Sequence, residues 1–447
     1  MKMLDLLKGN GVAIESDHGN LISYAELRAR VNERVKRWLV VYSVEKVDRE
    51  AVVVHEVSTL EQIVSIFAGF ELGMIVNVKG DPAVIHPRWV CSNGELHSNS
   101  ASPRNYGDTV DAIFLTSGTT ESSRVVGHRQ ESLLTCATEM ANVLSFDSTS
   151  RVALTLDVSF HYGFSVMTST FYANGTLLLS ALPLSDPRFV FHLNGWFEKV
   201  RPTVLATVPQ GWAVFSRTLG ETVWEEVVTI VSAGDIMPTE LLHRISAQNP
   251  SAKIHILYGS TEVLRSCHRS WIPSDEEGCI GSPLPSAQLS IEEDIVFQRG
   301  STLFEEMWEG ERCIHRQDRC RLPDVLRVDE VGTWYFIQRS TDLLKVSGKR
   351  VSPLLIERCL IDTEGIDDAI VVEYNDSLLG ILCVPGNQKF TTIEVAIPKV
   401  YQPKHWIVLR QPFPLTPRNK RSRQWIKNYA LRHFDPASSP PFRLVVR

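Results

Sequence analysis

The alternation of short apolar runs with helix-length amphipathic stretches restricts the fold of this chain more than any other feature. "EAVVVHEV" has the composition of a buried strand, "STLEQIVSIFAGFELG" follows with helical spacing, and "GMIVNV" is strand-like again. Similar strand-like runs recur in "RVALTLDVS", "GTLLLSA", "TVLATV", "EVVTIVSAG" and "AKIHILYGS". Strands that alternate with helices predict an α/β fold, in which a mostly parallel sheet is covered by helices on both faces.

Three polar loops directly follow strand-like runs. They read "TSGTTESS", "SAGDIMP" and "YGSTE". In parallel sheets, ligands bind outside the carboxyl ends of the strands. The sequence therefore predicts that these three loops contribute to one shared site.

The pattern changes near residue 334. "TWYFIQRS" and "DLLKVSGKRVS" are each typical of a short strand, and "PLLIERCLID" predicts a short helix with Pro353 near its start. "DAIVVEY" and "SLLGILCV" are strand-like again. A chain of 447 residues is long for a single core, so we predict a large α/β domain over residues 1–338 and a small α+β domain over residues 339–447.

Composition and charge exclude several classes of protein. The net charge of −6 argues against a nucleic-acid-binding role for the whole chain. The eight cysteines are scattered without a C-x-x-C pair, which indicates free thiols in a reducing compartment. No apolar stretch reaches the length of a membrane span, and the N-terminus lacks the pattern of a signal peptide. These features predict a cytoplasmic protein without a membrane span.

The loop over residues 116–123 has the composition of a phosphate-binding loop. An apolar run, "DAIFL", leads into it, and a helical pattern, "HRQESLLTCATEMANVL", leads out. In such a strand–loop–helix unit, backbone N–H groups, hydroxyls and a helix N-terminus can hold phosphate. The motif G-x-x-x-x-G-K-[ST] is absent, which argues against an ordinary P-loop NTPase. A polar connecting loop has a similar composition.

The order of residues in this loop is more specific than its composition. "TSGTTESSRVV" resembles the phosphate-binding loop of the adenylate-forming superfamily, roughly T-S-G-T-T-G-x-P-K-G-V. That superfamily includes acyl-CoA synthetases, aryl-acid ligases, luciferases and peptide-synthetase adenylation domains. Glu121, Ser123 and Arg124 replace the Gly, Pro and Lys of the pattern. The resemblance implies that ATP phosphates are bound by Thr116, Ser117, Gly118, Thr119, Thr120 and Arg124.

Other segments resemble motifs of the same superfamily, in the same order, across nearly the whole chain. "LISYAELRARVNERV" resembles the N-terminal T-Y-x-E-L segment, and "FHYGFS" resembles the segment beside the acyl pocket, where His161 and Gly163 match. "SAGDIMP" resembles the loop that borders adenine, and "YGSTE" is nearly identical to the Y-G-x-T-E motif. "IHRQDRCRL", "IQRSTDLLKVSGKRVSP" and "PLTPRNKRSR" resemble the ribose-binding, hinge and catalytic-lysine motifs.

The resemblance implies a large N-terminal domain and a small C-terminal domain that rotates about a hinge. The implied hinge residues are Thr341 and Asp342, with Thr341 at the pivot, and the implied acceptor-thiol face contains Lys345, Gly348 and Lys349. Asn419 precedes the implied catalytic lysine, where the family has Gly. The remaining residues implied to bind ATP or AMP are Gly234, Asp235, Tyr258, Gly259, Ser260, Thr261, Asp318 and Arg339.

The resemblance implies three catalytic candidates, Lys420, Glu262 and His161, and elementary chemistry agrees with the roles of the first two. Joining a carboxylate to the α-phosphate of ATP brings two anions together, so the barrier falls only when negative charge is neutralised. Glu262 could hold Mg²⁺ or form a surface salt bridge. Lys420 could act as a mobile positive charge or be a solvated member of the basic C-terminal stretch. His161 could line the acyl pocket or be a core histidine, and Asp318 could accept the ribose hydroxyls or cap a loop.

These observations predict a ligase that uses ATP and Mg²⁺ to convert an aryl or short acyl acid into an acyl-adenylate, with release of pyrophosphate. The acyl group would then pass to the thiol of coenzyme A or of a carrier protein's phosphopantetheine. An adenylating ligase with an amine or other nitrogen acceptor, and a nucleotide-binding homologue without catalysis, are the alternatives. Pocket residues are expected within 161–166, 232–235 and 257–265; Arg265 or His268 could pair with a polar group of the substrate or lie at the surface.

Overall fold

The chain is divided into two compact units in a computed structural model. The first unit comprises Met1–Leu322 and Arg327–Phe336, and the second comprises Pro323–Leu326 and Ile337–Arg447. The structure describes residues 1–41, 49–100, 102–116, 124–180, 182, 188–293, 295–339, 344–346, 349–351, 353–361, 363, 365–384, 392–395, 402–411, 413, 423–435 and 443–446.

The helices of the described residues follow the periodicity of the sequence. A 3₁₀ helix, Met3–Leu7, precedes α1 Tyr24–Val41, α2 Thr59–Glu71, α3 Pro82–Ile85, α4 Gln130–Val143, α5 His161–Tyr172, α6 Phe189–Val200, α7 Pro209–Thr218, α8 Glu221–Glu226, α9 Thr239–Gln248, α10 Pro353–Ile361 and α11 Arg423–His433. No helix in the described ranges combines the length and apolar character that crossing a membrane requires.

The strands of the described residues fall into two groups. Those in the first part of the chain are β1 Val12–Ser16, β2 Leu21–Ser23, β3 Ala51–Val54, β4 Ile75–Val78, β5 Trp89–Ser92, β6 Glu95–Ser98, β7 Ala112–Leu115, β8 Val125–His128, β9 Arg151–Leu154, β10 Thr176–Leu179, β11 Val204–Thr207, β12 Thr229–Ala233 and β13 Lys253–Tyr258. Those that follow are β14 Cys267–Ser270, β15 Cys279–Pro283, β16 Ala287–Glu292, β17 Ile295–Gly300, β18 Glu306–Glu309, β19 Arg312–His315, β20 Cys320–Arg321, β21 Asp324–Val328, β22 Trp334–Arg339, β23 Leu344–Val346, β24 Lys349–Val351, β25 Asp368–Tyr374, β26 Ser377–Cys383, β27 Thr392–Val395, β28 His405–Leu409 and β29 Arg443–Val446.

Two large sheets are parallel at their centres and antiparallel at their edges. The first has the order β2-β1-β10-β9-β11-β12-β13-β14-β15-β22-β21, and its strands from β1 to β13 in this order run parallel. The second has the order β19-β18-β8-β7-β4-β3-β5-β6, with β7, β4, β3 and β5 parallel. The predicted α/β class is therefore confirmed.

The central parallel strands are covered on both faces of their sheet, which explains why these strands are apolar at almost every position. In β9, Val152 and Leu154 enter a core that also contains α1, α2, α4 and α5, whereas Ala153 enters a second core with residues of α6 to α9. Successive side chains of a strand point to opposite faces, so a strand between two helical layers must be apolar at every position. This burial holds the carboxyl ends of the parallel strands at a common edge.

The segment after the Ser/Thr-rich loop is a strand, so the predicted strand–loop–helix unit is wrong. β8 follows the loop and pairs antiparallel with both β7 and β18, and α4 begins only at Gln130. Val125 and Val126 are β-branched and buried, which favours the strand. The loop thus closes a hairpin, and its base is held by the Thr116 N–H, which donates to the Arg124 carbonyl at 3.0 Å.

The second unit is a small α+β structure, as predicted. β25, β26 and β28 form a sheet, and α10 begins at Pro353 as expected from its sequence. Two buried clusters cover the two sides of this sheet, one of them with Ile356 and Leu360 of α10 and the other with Ile426 and Ala430 of α11. "DLLKVSGKRVS" contains two short paired strands, β23 and β24, where the sequence predicted one.

Candidate active site

Two of the three predicted loops leave adjacent parallel strands at the same edge. Ala233, the last residue of β12, pairs with Leu257 of β13, and β13 ends one residue later at Tyr258. The loops that begin at Gly234 and Gly259 therefore leave neighbouring strands at the same edge. β9 runs parallel to these strands, one strand away through β11, and α5 follows it with His161 as its first residue. The predicted gathering of these segments at one edge of the sheet agrees with this topology.

The loop after β12 has a backbone suited to close approach by a flat ligand. Gly234 has a φ of +93°, in the left-handed region that favours glycine, and it is exposed. The neighbouring Asp235 is also exposed, and its Oδ1 accepts a hydrogen bond from the N–H of Ile236 at 2.8 Å. The Nε2 of Gln210 donates to Oδ2 of the same carboxylate at 3.3 Å. These bonds stabilise the open turn of the loop.

The loop after β13 is held tightly by its own backbone. The N–H of Ser266 donates to the Tyr258 carbonyl at 2.8 Å. A β-carbon at Gly259 would overlap the carbonyl oxygen of Leu264, so only glycine fits there. The Oγ of Ser260 is buried and has no hydrogen-bond partner within the described ranges. A buried hydroxyl without a partner marks a position where a bound ligand can supply one.

Glu262 lies near Arg124, the last residue of the hairpin loop. Its carboxylate oxygen is 3.9 Å from Nη1 of Arg124, whose Nε is 2.8 Å from Oε1 of Glu309. Only 12% of the Glu262 side chain is exposed, so this is not the fully solvated surface pair considered from the sequence. Mg²⁺ prefers carboxylate oxygen and needs only one or two carboxylates beside phosphate and water oxygens, so Glu262 fits such an ion.

His128 makes a second connection between the hairpin and the loop after β13. Its Nε2 is 2.7 Å from the carbonyl oxygen of Thr261. Burial lowers the pKa of His128 to about 4, so the ring is neutral and Nε2–H donates to that carbonyl. His128 could not be identified from the sequence, because a histidine at the end of a strand carries no signal of its tertiary partner.

His161 is buried at the start of α5. Its ring is 5.8 Å from that of Phe114 in an edge-to-face arrangement, and its Nε2 is 3.8 Å from Sγ of Cys136 on α4. Burial lowers the pKa of His161 well below its ordinary value, and the charge of Arg265 lowers it further. His161 is thus a neutral group, whose buried position is compatible with both of the roles considered from the sequence.

The two candidate partners for a polar group of the substrate differ in their surroundings. Arg265 is only 3% exposed, so the surface position considered for it is wrong. His268 is half-buried, and its Nε2 is 2.8 Å from Nδ1 of His255 on the neighbouring strand. The internal pairing of His268 leaves Arg265 as the stronger candidate.

Asp318 and Arg339 belong to different units of the chain. Asp318 is exposed between β19 and β20, beside Arg316, which donates to the Glu305 carboxylate at 2.6 Å. This exposed carboxylate is compatible with both roles considered from the sequence, which are binding of ribose hydroxyls and capping of the loop. Arg339 belongs to the second unit, where its Nε is 3.8 Å from Oδ1 of Asp324.

Several predicted residues have no described side chain. Lys345 and Lys349 belong to β23 and β24, but only their backbone is described. The predicted residues that lie outside the described ranges are Ser117, Gly118, Thr119, Thr120, Thr341, Asp342, Gly348 and Lys420. Their assigned roles stay predictions.

His128 should make the stability of the protein depend on pH. The unfolded chain takes up a proton near the ordinary histidine pKa of about 6.5, whereas folded His128 does so near 4, so stability is complete above about 6.5 and falls as the pH drops through this window. Between about pH 7 and about pH 5, His128 should cost about 2 kcal/mol in the free energy of unfolding. Urea denaturation of the wild type and of His128→Asn at both pH values tests this.

The difference between the two pH values is the relevant measurement, because it cancels any constant loss of stability in the variant. His161 remains in both proteins and contributes a similar slope to each. An equal pH dependence in the wild type and in His128→Asn would mean that the pKa of His128 is the same in the folded and unfolded states, so that burial does not lower it.

The chain has an α/β fold in two compact units, and two of its motif-bearing loops leave adjacent parallel strands at one edge of the first large sheet. Residues 82–314, more than half of the chain, match the family model described as AMP-binding enzyme. The chain therefore belongs to the AMP-binding enzyme family, within the adenylate-forming superfamily that the motifs resemble.

Sequence relatives agree with this membership, and a solved structure shares the fold. The chain is 22% identical over 353 residues to "Probable CoA ligase CCL5" of Humulus lupulus, covering 72% of this chain and 63% of the relative. It is 24% identical over 266 residues to "2-succinylbenzoate--CoA ligase, chloroplastic/peroxisomal" of Arabidopsis thaliana, covering 47% of this chain and 48% of the relative. Each match thus spans less than two thirds of the relative. ATP-bound MatB from Rhodopseudomonas palustris has the same fold, with a TM-score of 0.75, 19% identity, and coverage of 94% of this chain and 97% of that one.

Proposed function

We propose that this protein uses ATP to activate an aryl or short acyl carboxylic acid as an acyl-adenylate, releases pyrophosphate, and then transfers the acyl group to a thiol, which forms a thioester and releases AMP. The observation that carries this proposal is the connection of the hairpin loop to the loop after β13, through Arg124 with Glu262 and through His128 with Thr261. The first loop resembles a phosphate-binding loop, and the second supplies a carboxylate suited to a metal ion. Phosphate and metal binding at adjacent loops are the two requirements of phosphoryl chemistry on ATP.

In the first step, a carboxylate oxygen of the acid attacks the α-phosphorus of ATP. The bond from this phosphorus to the oxygen that bridges the α- and β-phosphates breaks, and pyrophosphate leaves with that oxygen. Arg124 and the loop hydroxyls bind phosphate oxygens, and Lys420 supplies positive charge where negative charge grows. Glu262 would hold Mg²⁺, which neutralises phosphate charge when bound.

The remaining residues position the nucleotide. The backbone at Gly234 and Asp235 borders the adenine ring, and Asp318 accepts hydrogen bonds from the ribose hydroxyls. Tyr258 is buried, with its ring 6.2 Å from that of Phe336, which gives the loop before Glu262 a rigid base. Rigid support matters because small displacements of a reacting group cost large factors in rate.

In the second step, we propose that a small domain over residues 339–447 rotates about Thr341 and Asp342. This rotation would withdraw Lys420 and present Lys345, Gly348 and Lys349 to the acceptor thiol. Coenzyme A is the favoured acceptor, since the names of both sequence relatives describe CoA ligases. A carrier protein's phosphopantetheine and an amine are the alternatives, and the cytoplasmic location stays a prediction.

ATP–pyrophosphate exchange tests the proposal. Purified protein with ATP, Mg²⁺ and labelled pyrophosphate is expected to form labelled ATP only when an accepted acid is present, because the exchange requires reversal of adenylate formation. A panel of benzoates and short linear acids covers the proposed classes. Subsequent addition of coenzyme A, a phosphopantetheinylated carrier protein or an amine, with detection of the product by mass, identifies the acceptor. Binding of ATP without exchange for any acid would contradict the proposal.

A further inference from the structure

A buried arginine lies beside the residues expected to form the acid pocket. The guanidinium carbon of Arg265 is 4.5 Å from the ring centroid of Tyr162, the second residue of α5. Cys136 of α4 lies against the backbone of Arg265, and His161 lies close enough for the arginine charge to lower its pKa. We name Cys136, His161, Tyr162 and Arg265 the arginine cluster.

The arginine cluster has no negative charge to balance Arg265. Burial raises the pKa of Cys136 to about 12 and raises that of Tyr162, so both groups keep their protons. His161 is neutral. Glu139, one turn beyond Cys136 on α4, accepts from the N–H and the Oγ of Ser286, at 2.7 and 2.6 Å. Contacts within the described ranges thus leave a buried cation without a carboxylate, an arrangement that is costly unless an anion completes it.

The unsatisfied donors of Arg265 have the geometry of a carboxylate site. Its Nε and Nη2 are both buried, and neither has a hydrogen-bond partner among the described residues. These two nitrogens form one edge of the planar guanidinium, and their N–H groups point in parallel. Two parallel N–H donors match the two oxygens of a carboxylate, which is the bidentate pairing that arginine makes best. The face of Tyr162 fixes the plane of this fork.

The position of Arg265 connects this carboxylate site with the proposed chemistry. Arg265 follows Glu262 by three residues, and the intervening Leu264 has a backbone φ of +61°, a strained left-handed value for leucine. This turn lies where the chain passes from the half-buried residues 259–262 into the core. His161 of the arginine cluster contacts Phe114. Phe114 lies two residues before Thr116, the first residue of the hairpin loop.

We infer that Arg265 binds a second carboxylate of the acid substrate, so that the preferred substrate is an aryl or short acyl dicarboxylic acid. This inference rests on the proposed adenylation of a carboxylic acid. One carboxylate of the acid reacts with ATP near Glu262, and the other forms a bidentate ion pair with Nε and Nη2 of Arg265. Arg265 then acts as a specificity-determining residue, because an acid without the second carboxylate leaves its donors unpaired.

Matched acids that differ only by a second carboxylate test the inference. ATP–pyrophosphate exchange is measured with benzoate against benzene-1,2- and benzene-1,3-dicarboxylate, and with acetate, propionate and butyrate against malonate, succinate and glutarate. We expect the wild type to use at least one diacid about 100-fold more efficiently than its matched monoacid. Arg265→Met should lower exchange with that diacid about 100-fold and leave exchange with the monoacid unchanged or raised.

Arg269→Met is the matched control. Arg269 lies on β14, four residues beyond Arg265, but its Nε donates to the Asp275 carboxylate at 2.8 Å, so it has an internal partner. Its replacement should leave the ratio of diacid to monoacid use unchanged. Thermal unfolding and ATP binding of each variant separate a change of preference from a loss of folding. Arg265→Lys, which keeps the charge without the fork, should recover only part of the diacid preference.

Each outcome decides the inference. Equal or better use of monoacids by the wild type would overturn it, and so would a uniform loss for all acids in Arg265→Met, which would make Arg265 a structural residue. If no acid supports exchange although ATP binds, the proposed adenylation fails. The carboxylate site at Arg265 is then tested by the binding of diacids, without reference to exchange. A rise in melting temperature with a diacid in the wild type but not in Arg265→Met would still support the carboxylate site, and no rise with any diacid would refute it.

Discussion

Replacing Glu262 by glutamine is expected to lower ATP–pyrophosphate exchange about 1,000-fold, with little change in the melting temperature. The carboxylate is the proposed ligand of Mg²⁺, and an amide of the same shape carries no charge to hold the ion. Loss of one electrostatic stabiliser of a transition state costs rates of this order. Exchange is measured with an accepted acid over a series of Mg²⁺ concentrations, and the variant should need more Mg²⁺ than the wild type.

Glu309→Gln is the control for the effect on Arg124. Glu309 is the other carboxylate beside that arginine, with its Oε1 2.8 Å from Nε. This variant removes a partner of Arg124 without touching the proposed metal ligand, so the loss of exchange should stay below about tenfold. Equal losses of exchange in Glu262→Gln and Glu309→Gln would mean that Glu262 acts only by holding Arg124. Full exchange activity of Glu262→Gln would show that Glu262 has no role in the reaction.

The local pattern of the sequence predicted most of the fold. The apolar runs of β3, β9 and β12 and the helical spacing of α2 are visible without tertiary information, because a strand between two helical layers is apolar at every position. Pro353 indicated the start of α10 for a reason that is also local, because proline is favoured in the first turn of a helix. Features of this kind depend only on residues that are neighbours in the chain, so the sequence is enough to predict them.

The helix expected after the hairpin loop shows where local reasoning fails. β8 contains only four residues, and its partner strands are β7, just before the loop, and β18, about 180 residues later. The amphipathic pattern of α4 is longer and stronger than the strand pattern of β8. The sequence therefore favoured a helix directly after the loop. A pairing with so distant a segment leaves no mark in a local window, so tertiary contacts override the local signal.

Arg265 shows a similar limit for a site residue. Charged side chains are mostly exposed, so its charge made a surface position the simpler expectation. Its burial follows from the packing of the loop after β13 against α4 and α5, which the sequence does not display. By contrast, Tyr258, Gly259 and Glu262 could be proposed as site residues from the sequence, because their motif is contiguous in the chain.

Lys420→Ala is expected to separate the two half-reactions. Lys420 is proposed to act only in adenylate formation, by supplying positive charge at the reacting phosphate, so exchange should fall about 1,000-fold. Rotation of the small domain would remove Lys420 from the site before thiol transfer. The variant should therefore convert a chemically prepared acyl-adenylate and coenzyme A into thioester at a rate within about threefold of the wild type, since no interaction used in the transition state of that step is lost.

Lys427→Ala is the matched control, because Lys427 lies in the same basic stretch but donates to the backbone carbonyl of Glu373. Its replacement should leave both half-reactions within about threefold of the wild type. Full exchange activity in Lys420→Ala would show that Lys420 is a solvated lysine without a role in adenylate formation. Equal loss of both half-reactions would contradict the rotation, because a lysine needed throughout the cycle cannot be one that the second step withdraws. Loss of the first half-reaction with retention of the second would support a Lys420 that acts only in adenylate formation, as the proposed rotation implies.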